Sequence, residues 1–459
     1  MSAQPQGAAR PPEAAVELEV TALAHDGRGV ARDEGKTVFV EGALPGERVT
    51  LRHRHRGKDF DEAVLGTVLR ASPDRITPRC AHYEACGGCA LQHMAPAAQL
   101  LAKQHSVLDT LARLGKVTPE RELAPLAGPA WGYRRRARLG ARLVRKKGRV
   151  LVGFRERRGR YIADLERCEV LDPRAGALLR PLGELFGSLS IPDKLPQVEV
   201  AGADDVMVLV LRILAPLTDA DRAALRAFAA RHAIEWWIQP GGEDSAAPLD
   251  PPGSPLRFGL AGGAAGAAPL EIEFRPTDFI QVNAALNRTM VEQALALLRP
   301  APGERVLDLF AGLGNFTLPI ARAGAAAVGV EGSAELVARA RSNAARQGIT
   351  VDFHVADLFQ PLGDFPWARA QYDALLLDPP RAGAREAIGH LPRWQPARIL
   401  YVSCHPATLA RDAGLLVHEH GYRLVAAGAM DMFPQTAHVE AMALFERNDA
   451  KRVDPRTAT

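Results

Sequence analysis

The sequence predicts an α/β fold for its C-terminal part, with a mostly parallel sheet, preceded by a small β-barrel and a mixed α+β region. Three observations support this. Strand-like and helix-like segments alternate beyond residue 300, as in a parallel sheet. Short alternating runs separated by turn residues fill positions 16–72, and both kinds of segment mix in between. The chain has 459 residues, 47% hydrophobic and 24% charged, which fits about three globular domains.

The N-terminal part predicts a tail followed by a barrel. Residues 1–14 are rich in Ala, Pro and Gln, which is typical of a disordered tail. Four short runs follow, interrupted by turn pairs such as Asp26-Gly27 and Pro45-Gly46; they are VELEVTALA, KTVFV, ERVTLRH and EAVLGTVLR. Four or five strands in about 60 residues predict a small antiparallel barrel of OB-like character.

The middle of the chain predicts a mixed domain. Three cysteines lie in a loop-like context at 75–92, and a helix is expected from about Pro96 to Leu114. Strand-like alternation returns at 133–170, and a strand, a helix and a strand are expected at 206–213, 219–232 and 235–238. Gly, Ala and Pro dominate 241–269, which predicts a linker or long loop.

The C-terminal strands predict where a ligand binds. The expected strands are 305–310, 326–331, 351–357, 372–378, 397–403 and 439–445. Helices are expected between these strands, notably Ala334–Gln347. Open parallel sheets bind ligands at the carboxyl ends of their strands. Polar residues that end or follow these strands are therefore the first candidates for a functional site.

Composition excludes several classes of protein. The most apolar stretch, 206–217, is short and contains Arg212, so no membrane span is predicted. The N-terminus lacks the apolar core of a secretory signal, so we expect a cytoplasmic protein. Five cysteines is an odd number for a disulfide framework, and the cytosol keeps thiols reduced, which favours a group of four plus one.

The charge distribution indicates a polyanionic partner. The net charge is +4, yet residues 134–160 contain thirteen Lys or Arg and a single acid, Glu156. A smaller basic run occupies 48–58. A solvated surface is the alternative for the smaller run, but the larger one favours nucleic acid.

A glycine loop marks the candidate cofactor site. The stretch from Asp308 to Phe316, DLFAGLGNF, follows a strand and opens a helix. A nicotinamide-binding site is the rival interpretation, but Thr317 occupies the place of the third glycine of the dinucleotide fingerprint. Glu331 ends the next strand, placed to bind ribose hydroxyls, and Asp357 ends the third. This set resembles the S-adenosylmethionine (SAM) site of class I methyltransferases.

Two groups of cysteines predict different chemistry. Cys80, Cys86, Cys89 and the distant Cys168 are able to surround one metal centre, and their chemistry alone leaves zinc and an iron–sulfur cluster open. Cys404 directly follows the strand ARILYVS, beside Asp378-Pro379-Pro380-Arg381 of the neighbouring strand. A thiol at the ligand-binding edge is a candidate nucleophile rather than a buried apolar group.

Four motifs together resemble the bacterial RNA uracil-C5 methyltransferases. They are the glycine loop, DPPRAG (378–383), SCHPATLARD (403–412) and HVEAMALF (438–445). Within that family, the cysteine set and an N-terminal barrel of the TRAM type resemble the enzymes that make 5-methyluridine in 23S rRNA, whereas tRNA-modifying relatives typically lack both. The resemblance extends over about 16–445.

This resemblance implies the whole architecture. The expected fold is a class I SAM-dependent methyltransferase, Rossmann-like, with an OB-like TRAM barrel and a mixed α+β central domain that carries a [4Fe–4S] cluster. The implied segments are a tail at 1–14, the barrel at 15–73, the central iron–sulfur and RNA-binding domain at 74–93 and 128–270, the methyltransferase domain at 94–127 and 271–447, and a tail at 448–459.

The resemblance also implies roles for individual residues. Cys404 is expected to be the nucleophile and Glu440 the general base. The implied SAM-binding residues are Gln281, Phe310, Asn315, Glu331, Asp357 and Asp378. The implied [4Fe–4S] ligands are Cys80, Cys86, Cys89 and Cys168. His405 departs from the family pattern, which usually has Asn after the nucleophile.

The chemistry of uracil gives these residues a mechanism. C5 becomes nucleophilic only after addition at C6, so Cys404 would add to C6, C5 would take the methyl group of SAM, and Glu440 would remove the C5 proton. The target base must leave its stack, while the barrel and the basic segment bind phosphates. The expected partner is 23S rRNA, with no membrane, no obligate protein partner and a monomeric chain.

Three alternatives stay open on the sequence. The same chemistry could act on tRNA or on two rRNA sites. A non-catalytic RNA-binding iron–sulfur protein would retain the cluster without transfer. A nicotinamide-dependent oxidoreductase is disfavoured by the missing third glycine.

Overall fold

The computed structural model describes residues 16–260 and 269–448, so the predicted tail at 1–14 and, except for Asn448, the one at 448–459 lie outside the described residues. The chain divides into two compact units. One contains the N-terminal barrel with Cys89–Gln99 and Gln435–Ala437, and the other contains Cys80–Gly88 and most of the remaining chain. None of the helices in the described ranges combines the length and hydropathy needed to cross a bilayer.

The three helices whose bounds were predicted from the sequence are confirmed. The expected helix at 96–114 is an α-helix continued by a π-helical turn at Leu111–Gly115. The helices are α1 (Pro96–Thr110), α2 (Pro173–Gly176), α3 (Leu179–Ser188), α4 (Asp219–His232), α5 (Ala284–Leu298), α6 (Thr317–Arg322), α7 (Ala334–Arg346), α8 (Pro366–Arg369), α9 (Arg385–Ile388), α10 (Leu391–Trp394) and α11 (Pro406–Gly414).

The N-terminal strands close into the predicted barrel, in the order β1-β2-β3-β5-β4. They are β1 (Glu17–Leu23), β2 (Gly29–Asp33), β3 (Lys36–Glu41), β4 (Arg48–Arg56) and β5 (Phe60–Arg70). Alternate residues such as Leu18, Val20, Val38 and Val40 point inward and form the core. The barrel is not purely antiparallel as predicted. β3 and β5 run parallel because β4, which precedes β5, closes the barrel against β1.

The central region forms a six-stranded sheet in the order β12-β11-β10-β9-β7-β8. Its strands are β7 (Arg136–Val144), β8 (Arg149–Gly153), β9 (Gln197–Gly202), β10 (Met207–Arg212), β11 (Glu235–Gln239) and β12 (Ala247–Pro248). The expected strand–helix–strand run at 206–238 is confirmed. A capping box between Thr218 and Asp221 starts its helix, α4.

The predicted linker at 241–269 is wrong over its described part. β13 (Leu256–Leu260) pairs antiparallel with β14 (Leu270–Phe274), and β12 lies at the edge of the central sheet. Leu256, Phe258 and Leu260 are all buried. The Gly and Pro content of the surrounding segment obscured this alternation of apolar residues.

Seven C-terminal strands and β6 form an eight-stranded sheet in the order β17-β16-β15-β18-β19-β21-β20-β6. They are β6 (Arg121–Glu122), β15 (Arg305–Leu309), β16 (Ala326–Glu331), β17 (Asp352–Val355), β18 (Ala374–Leu377), β19 (Arg398–Ser403), β20 (Tyr422–Met430) and β21 (Glu440–Arg447). The predicted strands are confirmed within two or three residues. β20 was missed, because its Ala- and Gly-rich sequence, YRLVAAGAM, has weak strand propensity.

The topology positions a site at one edge of this sheet. β15 to β19 are parallel, and β15 lies between β16 and β18, so the chain order reverses beside β15. Such a reversal opens a crevice at the carboxyl ends of the strands. β21 runs antiparallel to β19, so its first residue lies at the same edge.

Candidate active site

A cavity of about 530 Å³ lies at the carboxyl edge of the large sheet. Its volume is in the range of small-molecule sites. All eight residues predicted to act in catalysis or cofactor binding line it: Gln281, Phe310, Asn315, Glu331, Asp357, Asp378, Cys404 and Glu440. The structure therefore brings together residues that are separated by up to 159 positions in the printed sequence.

The glycine loop leaves β15 in a left-handed conformation. Phe310 has φ 65°, Gly312 φ 54° and Gly314 φ 88°. For Phe310 this conformation is strained, and such strain is concentrated at functional sites. A Cβ on Gly314 would lie 3.0 Å from the Leu318 side chain, so a larger residue would disturb the start of α6. The loop thus turns its backbone toward the cavity.

Two polar side chains of the cavity are held in place by neighbouring groups. Glu331 accepts hydrogen bonds from the backbone N–H of Gly312 (3.1 Å) and of Ser333 (3.0 Å), which ties β16 to the glycine loop. The amides of Asn315 and Asn287 exchange two hydrogen bonds of 2.9 and 3.0 Å. The orientation of both side chains is therefore set before any ligand binds.

Thr317, which replaces the third glycine of a dinucleotide fingerprint, contacts the acid of β15. Its hydroxyl donates to Asp308 Oδ2 at 2.5 Å. Asp308 Oδ1 is buried and has no hydrogen-bond partner among the described residues. Burial, with smaller contributions from Asp378 and Glu331, raises the pKa of Asp308 to about 8, although the hydrogen bond from Thr317 opposes the shift. Asp308 does not line the cavity, so its contact with Thr317 fixes the glycine loop from behind.

Cys404 and Glu440 meet because of strand register. Ser403 at the end of β19 pairs with Ala441 in β21, so the residues just beyond each, Cys404 and Glu440, are neighbours across the edge. Glu440 is 5% exposed, and its Oε2 has no hydrogen-bond partner within the described chain. Burial raises the pKa of Glu440 to about 8, and Asp378 adds to the shift. A carboxyl poised in this way is typical of a proton-transfer group.

Nearby charged groups shift the pKa of Cys404 in opposite directions. Burial raises the pKa of the Cys404 thiol, as do Glu440 and Asp378, while Arg381 lowers it. Arg381 Nη2 lies 3.4 Å from His438 Nδ1. The pKa of His438 is lowered by burial and by the nearby cations, Arg381 among them, which favours a neutral ring. Arg381 is thus the cation whose field favours the thiolate.

His405 replaces the usual Asn without loss of the local turn. It is the N-cap of α11, and its Nδ1 accepts from the backbone N–H of Thr408 at 3.4 Å. An Asn side chain at an N-cap accepts the same kind of hydrogen bond. The departure from the family pattern therefore preserves the cap that orients the residues after Cys404.

Several aromatic residues and one arginine of the cavity were not assigned roles from the sequence. Phe258 comes from the segment predicted to be a linker, and Phe279, which is 72% exposed, precedes Gln281 by two residues. Phe359 contacts Phe310, with 5.7 Å between ring centroids. Arg381 lies within the quoted DPPRAG motif. The signal for Phe279 and Arg381 was proximity to motif residues, whereas Phe258 had none.

Three of the four candidate metal-ligating cysteines lie close together. Burial raises the pKa of Cys86, with a contribution from Cys80, and burial raises that of Cys168 to about 11, with contributions from Cys86 and Cys80. Cys89 belongs to the other compact unit. Among the described residues, no group of three or more His, Cys, Asp or Glu is arranged to hold a metal ion. None of the five cysteines forms a disulfide.

The cysteine loop is fixed by backbone pairing with the segment after β8. Gly87 N–H donates to Arg155 O and Arg157 N–H to Ala85 O, both at 2.9 Å. A Cβ on Gly88 would lie 3.3 Å from the Phe154 ring and 3.4 Å from Cys86 Sγ. The glycines therefore allow close packing around Cys86.

Comparisons with known proteins identify the family. The TRAM domain family matches residues 14–52, and the family described as tRNA (Uracil-5-)-methyltransferase matches 269–448. A protein of Alkalilimnicola ehrlichii named 23S rRNA (uracil(1939)-C(5))-methyltransferase RlmD is 52% identical over 440 residues, which cover 95% of this chain and 98% of that one. The chain belongs to the RNA uracil-C5 methyltransferase family. A Stenotrophomonas maltophilia protein of the same name is also 52% identical, over 94% of this chain and 97% of that one.

This RNA uracil-C5 methyltransferase is accordingly a SAM-dependent enzyme, and a solved structure agrees with its fold. The Pyrococcus abyssi tRNA (uracil-54, C5)-methyltransferase in complex with S-adenosyl-L-homocysteine superimposes with a TM-score of 0.70. The two chains are 23% identical, and the match covers 94% of this chain and 100% of that one. The predicted methyltransferase fold is confirmed, and the nicotinamide-dependent alternative is wrong.

Proposed function

We propose that this enzyme methylates C5 of a specific uridine in 23S rRNA to give 5-methyluridine. One observation carries the proposal: a thiol and an unpaired buried carboxyl, Cys404 and Glu440, line a single cavity with the glycine loop. The relatives that share about half of its residues over nearly their whole length are named for uracil 1939 of 23S rRNA. We extend the proposal to the equivalent uridine.

The proposed reaction proceeds through a covalent adduct. The Cys404 thiolate forms a bond to uracil C6, and the electron pair of the C5–C6 double bond moves toward the C4 oxygen as an enolate. SAM, when bound, supplies an electrophilic methyl group. C5 forms a bond to that methyl carbon, and the methyl–sulfur bond breaks. Glu440 then takes the C5 proton, and the C6–sulfur bond breaks to release 5-methyluridine and the thiolate.

The electrostatics of the cavity support these two roles. The raised pKa of Glu440 makes its carboxylate a stronger base than an exposed one. Arg381 opposes the two acids that disfavour the Cys404 thiolate. Its position next to Cys404 also suits the enolate oxygen, because an arginine stabilises developing negative charge.

We assign SAM to the side of the cavity formed by the glycine loop. Glu331 would bind the ribose hydroxyls, Asp357 the adenine amino group, and Phe310 the adenine face. Gln281, Asn315 and Asp378 would bind the polar end of the ligand. The raised pKa of Asp378 (about 7) supports this assignment, since its carboxylate lines the cavity and would gain stabilisation from a cationic sulfonium.

We further propose that Cys80, Cys86, Cys89 and Cys168 ligate a [4Fe–4S] cluster that orders the RNA-contacting surface. The proximity of three of the thiols and the glycine-lined packing at Cys86 support it. Protein purified without oxygen should then contain about four irons and four sulfides per chain. The Cys86→Ser variant should lose them. A Cys86→Ser protein that folds and methylates rRNA at the normal rate would refute an RNA-ordering role.

The test of the main proposal uses two RNAs. Unmodified 23S rRNA and unmodified tRNA are each incubated with enzyme and methyl-labelled SAM, and nucleosides are identified by mass spectrometry. We expect 5-methyluridine in the rRNA alone, at one mapped position. Methyl label in tRNA instead would overturn the substrate assignment and favour the alternative, which the tRNA-named family match over 269–448 supports.

A second experiment tests the covalent step. In RNA that contains 5-fluorouracil, C5 carries fluorine in place of the proton that Glu440 would remove. Methyl transfer should therefore stop at the adduct, and enzyme, RNA and methyl group should migrate together in a denaturing gel. The Cys404→Ala variant should form no such species. An adduct that survives this substitution would assign the nucleophile elsewhere.

A further inference from the structure

Part of the positive charge at 134–160 is paired or buried within the fold itself. Glu199 on β9 pairs with Arg136 and Arg138, and Asp164 pairs with Lys147 and Arg149. Arg135 is 4% exposed and lies over the Phe258 ring. These cations hold strands and loops together. The charge available to a partner is therefore smaller than the sequence indicates.

Part of the remaining charge lines one groove of about 750 Å³, to which the paired Arg138 also contributes. β7, the turn after β8 and residues 193–197 form it, and its arginines are Arg138, Arg142, Arg155 and Arg160. Arg142 and Arg155 are exposed and form no ion pair with any carboxylate of the described chain. The single acid of the lining, Asp193, is 3.3 Å from Lys194. The groove shares no lining residue with the cavity of Cys404.

The floor of this groove is apolar. Leu143, Phe154, Ile162 and Leu195 line it between the arginines. Gly140 contributes depth, because a Cβ there would lie 2.3 Å from Ile162 Cδ1. An isolated phosphate would use only the rim. A single unstacked nucleotide uses both parts, with its base on the apolar floor and its phosphates on the arginines.

We propose that this groove binds one unstacked nucleotide of the RNA substrate, at a position other than the methylated uridine. The inference rests on the proposed function for the identity of the RNA. A base-paired helix keeps its bases stacked and would contact only the rim, so the groove selects RNA whose structure presents an unpaired base at a fixed separation from the target. It therefore contributes to substrate choice and not to methyl transfer itself.

The test compares two double variants of the full-length enzyme with equal loss of charge. Arg142→Ala with Arg155→Ala removes the unpaired rim, and Arg222→Ala with Arg231→Ala removes two arginines of α4 that do not line the groove. We expect the groove variant to raise KM for 23S rRNA roughly tenfold with kcat unchanged at saturating RNA. The slope of log affinity against log salt should fall by about two, one for each lost phosphate contact. An unchanged KM, or an equal rise in the α4 variant, would overturn the proposal.

A second measurement tests the base-binding floor. Single abasic substitutions along the RNA should reveal one position, apart from the target uridine, at which affinity for the wild-type enzyme falls but affinity for the groove variant does not. If no abasic substitution lowers affinity in this way, the groove binds phosphate only, and the proposal of nucleotide binding is refuted. Affinities are measured with Cys404→Ala in both backgrounds. RNA affinity is then measured without methyl transfer. The result therefore stands even if the proposed methylation is wrong, which separates this inference from the proposed function.

Discussion

Buried acids in the barrel and in the active-site region have pKa values shifted in opposite directions. In the barrel, Asp61 lies 2.7 Å from Lys36 and 2.6 Å from Arg54, and its pKa is lowered to about 2, first by the hydrogen bond with Lys36. At the active-site edge of the large sheet, no cation of the described chain contributes to the pKa shift of Asp308 or Glu440, and burial raises both pKa values to about 8.

The difference separates stability from function. A buried carboxylate with charged partners depends on them, because removal of one partner leaves an uncompensated buried charge and destabilises the fold. A buried carboxyl without partners destabilises the free protein, and such groups are concentrated at sites where a ligand or a proton supplies the missing partner. The buried acids of the barrel are therefore paired with cations of the fold, whereas Glu440 in the cavity is available to the substrate.

The largest expected effect comes from removing the unpaired base. Glu440→Gln should lower the methylation rate by about 10²- to 10⁴-fold, because an amide in place of the carboxylate beside Cys404 cannot take the C5 proton. SAM affinity and formation of the Cys404 adduct should persist, so the covalent complex should accumulate on normal RNA. Glu419→Gln, an exposed acid, is the control. Rapid turnover in the Glu440→Gln enzyme would refute the assignment.

The pH dependence of the rate tests the same carboxyl in the unaltered enzyme. A raised pKa means that Glu440 is mostly protonated below pH 8, and the Cys404 thiol also has a raised pKa. Both groups act deprotonated, so the single-turnover rate should rise at least about tenfold per pH unit below that value. A rate that is flat between about pH 6 and pH 8 would show that SAM and RNA binding lower both pKa values, or that neither group titrates in the reaction.

Strand ends were predictable from the sequence, and so were the site residues that they carry. Asp378 and Cys404 follow buried apolar strands, and Glu440 starts one. Parallel and antiparallel pairing then brings them to one edge. This information is local, because hydrophobic periodicity locates each strand end to within a few residues.

Long-range partners were not predictable. The pairing of Glu199 with the basic segment depends on strand order in the central sheet, and Phe258 reaches the cavity from a segment whose composition indicated a linker. The contact of Thr317 with Asp308 required the geometry of the glycine loop. Charge counted along the chain therefore overestimated the surface available to RNA.

Removing a partner of a buried acid in the barrel should lower stability without lowering the methylation rate. Glu47 is fully buried and accepts from Arg75 Nη2 at 2.7 Å and from the backbone N–H of Leu44 at 2.8 Å. Arg75→Met should reduce the free energy of unfolding by about 1–3 kcal/mol, because it leaves a buried carboxylate short of partners. Urea denaturation measures this, and Arg32→Met, at an exposed barrel position, should change little. Equal stability of the two variants would remove the proposed role of Glu47 pairing.

A further expected effect is a gain in stability at Asp308, behind the glycine loop. The pKa of Asp308 is about 8 in the folded state and about 3.9 in an unfolded chain, so the folded state binds more protons between these values. Wild-type stability should therefore fall as pH rises from about 4 through 8. Asp308→Asn removes this dependence, and its amide oxygen still accepts from Thr317. The Tm difference between variant and wild type should grow by a few degrees from about pH 5 to pH 9. Asp352→Asn, at an exposed position, should show no such growth, and a difference that is constant with pH would mean that Asp308 is not held protonated in the free enzyme.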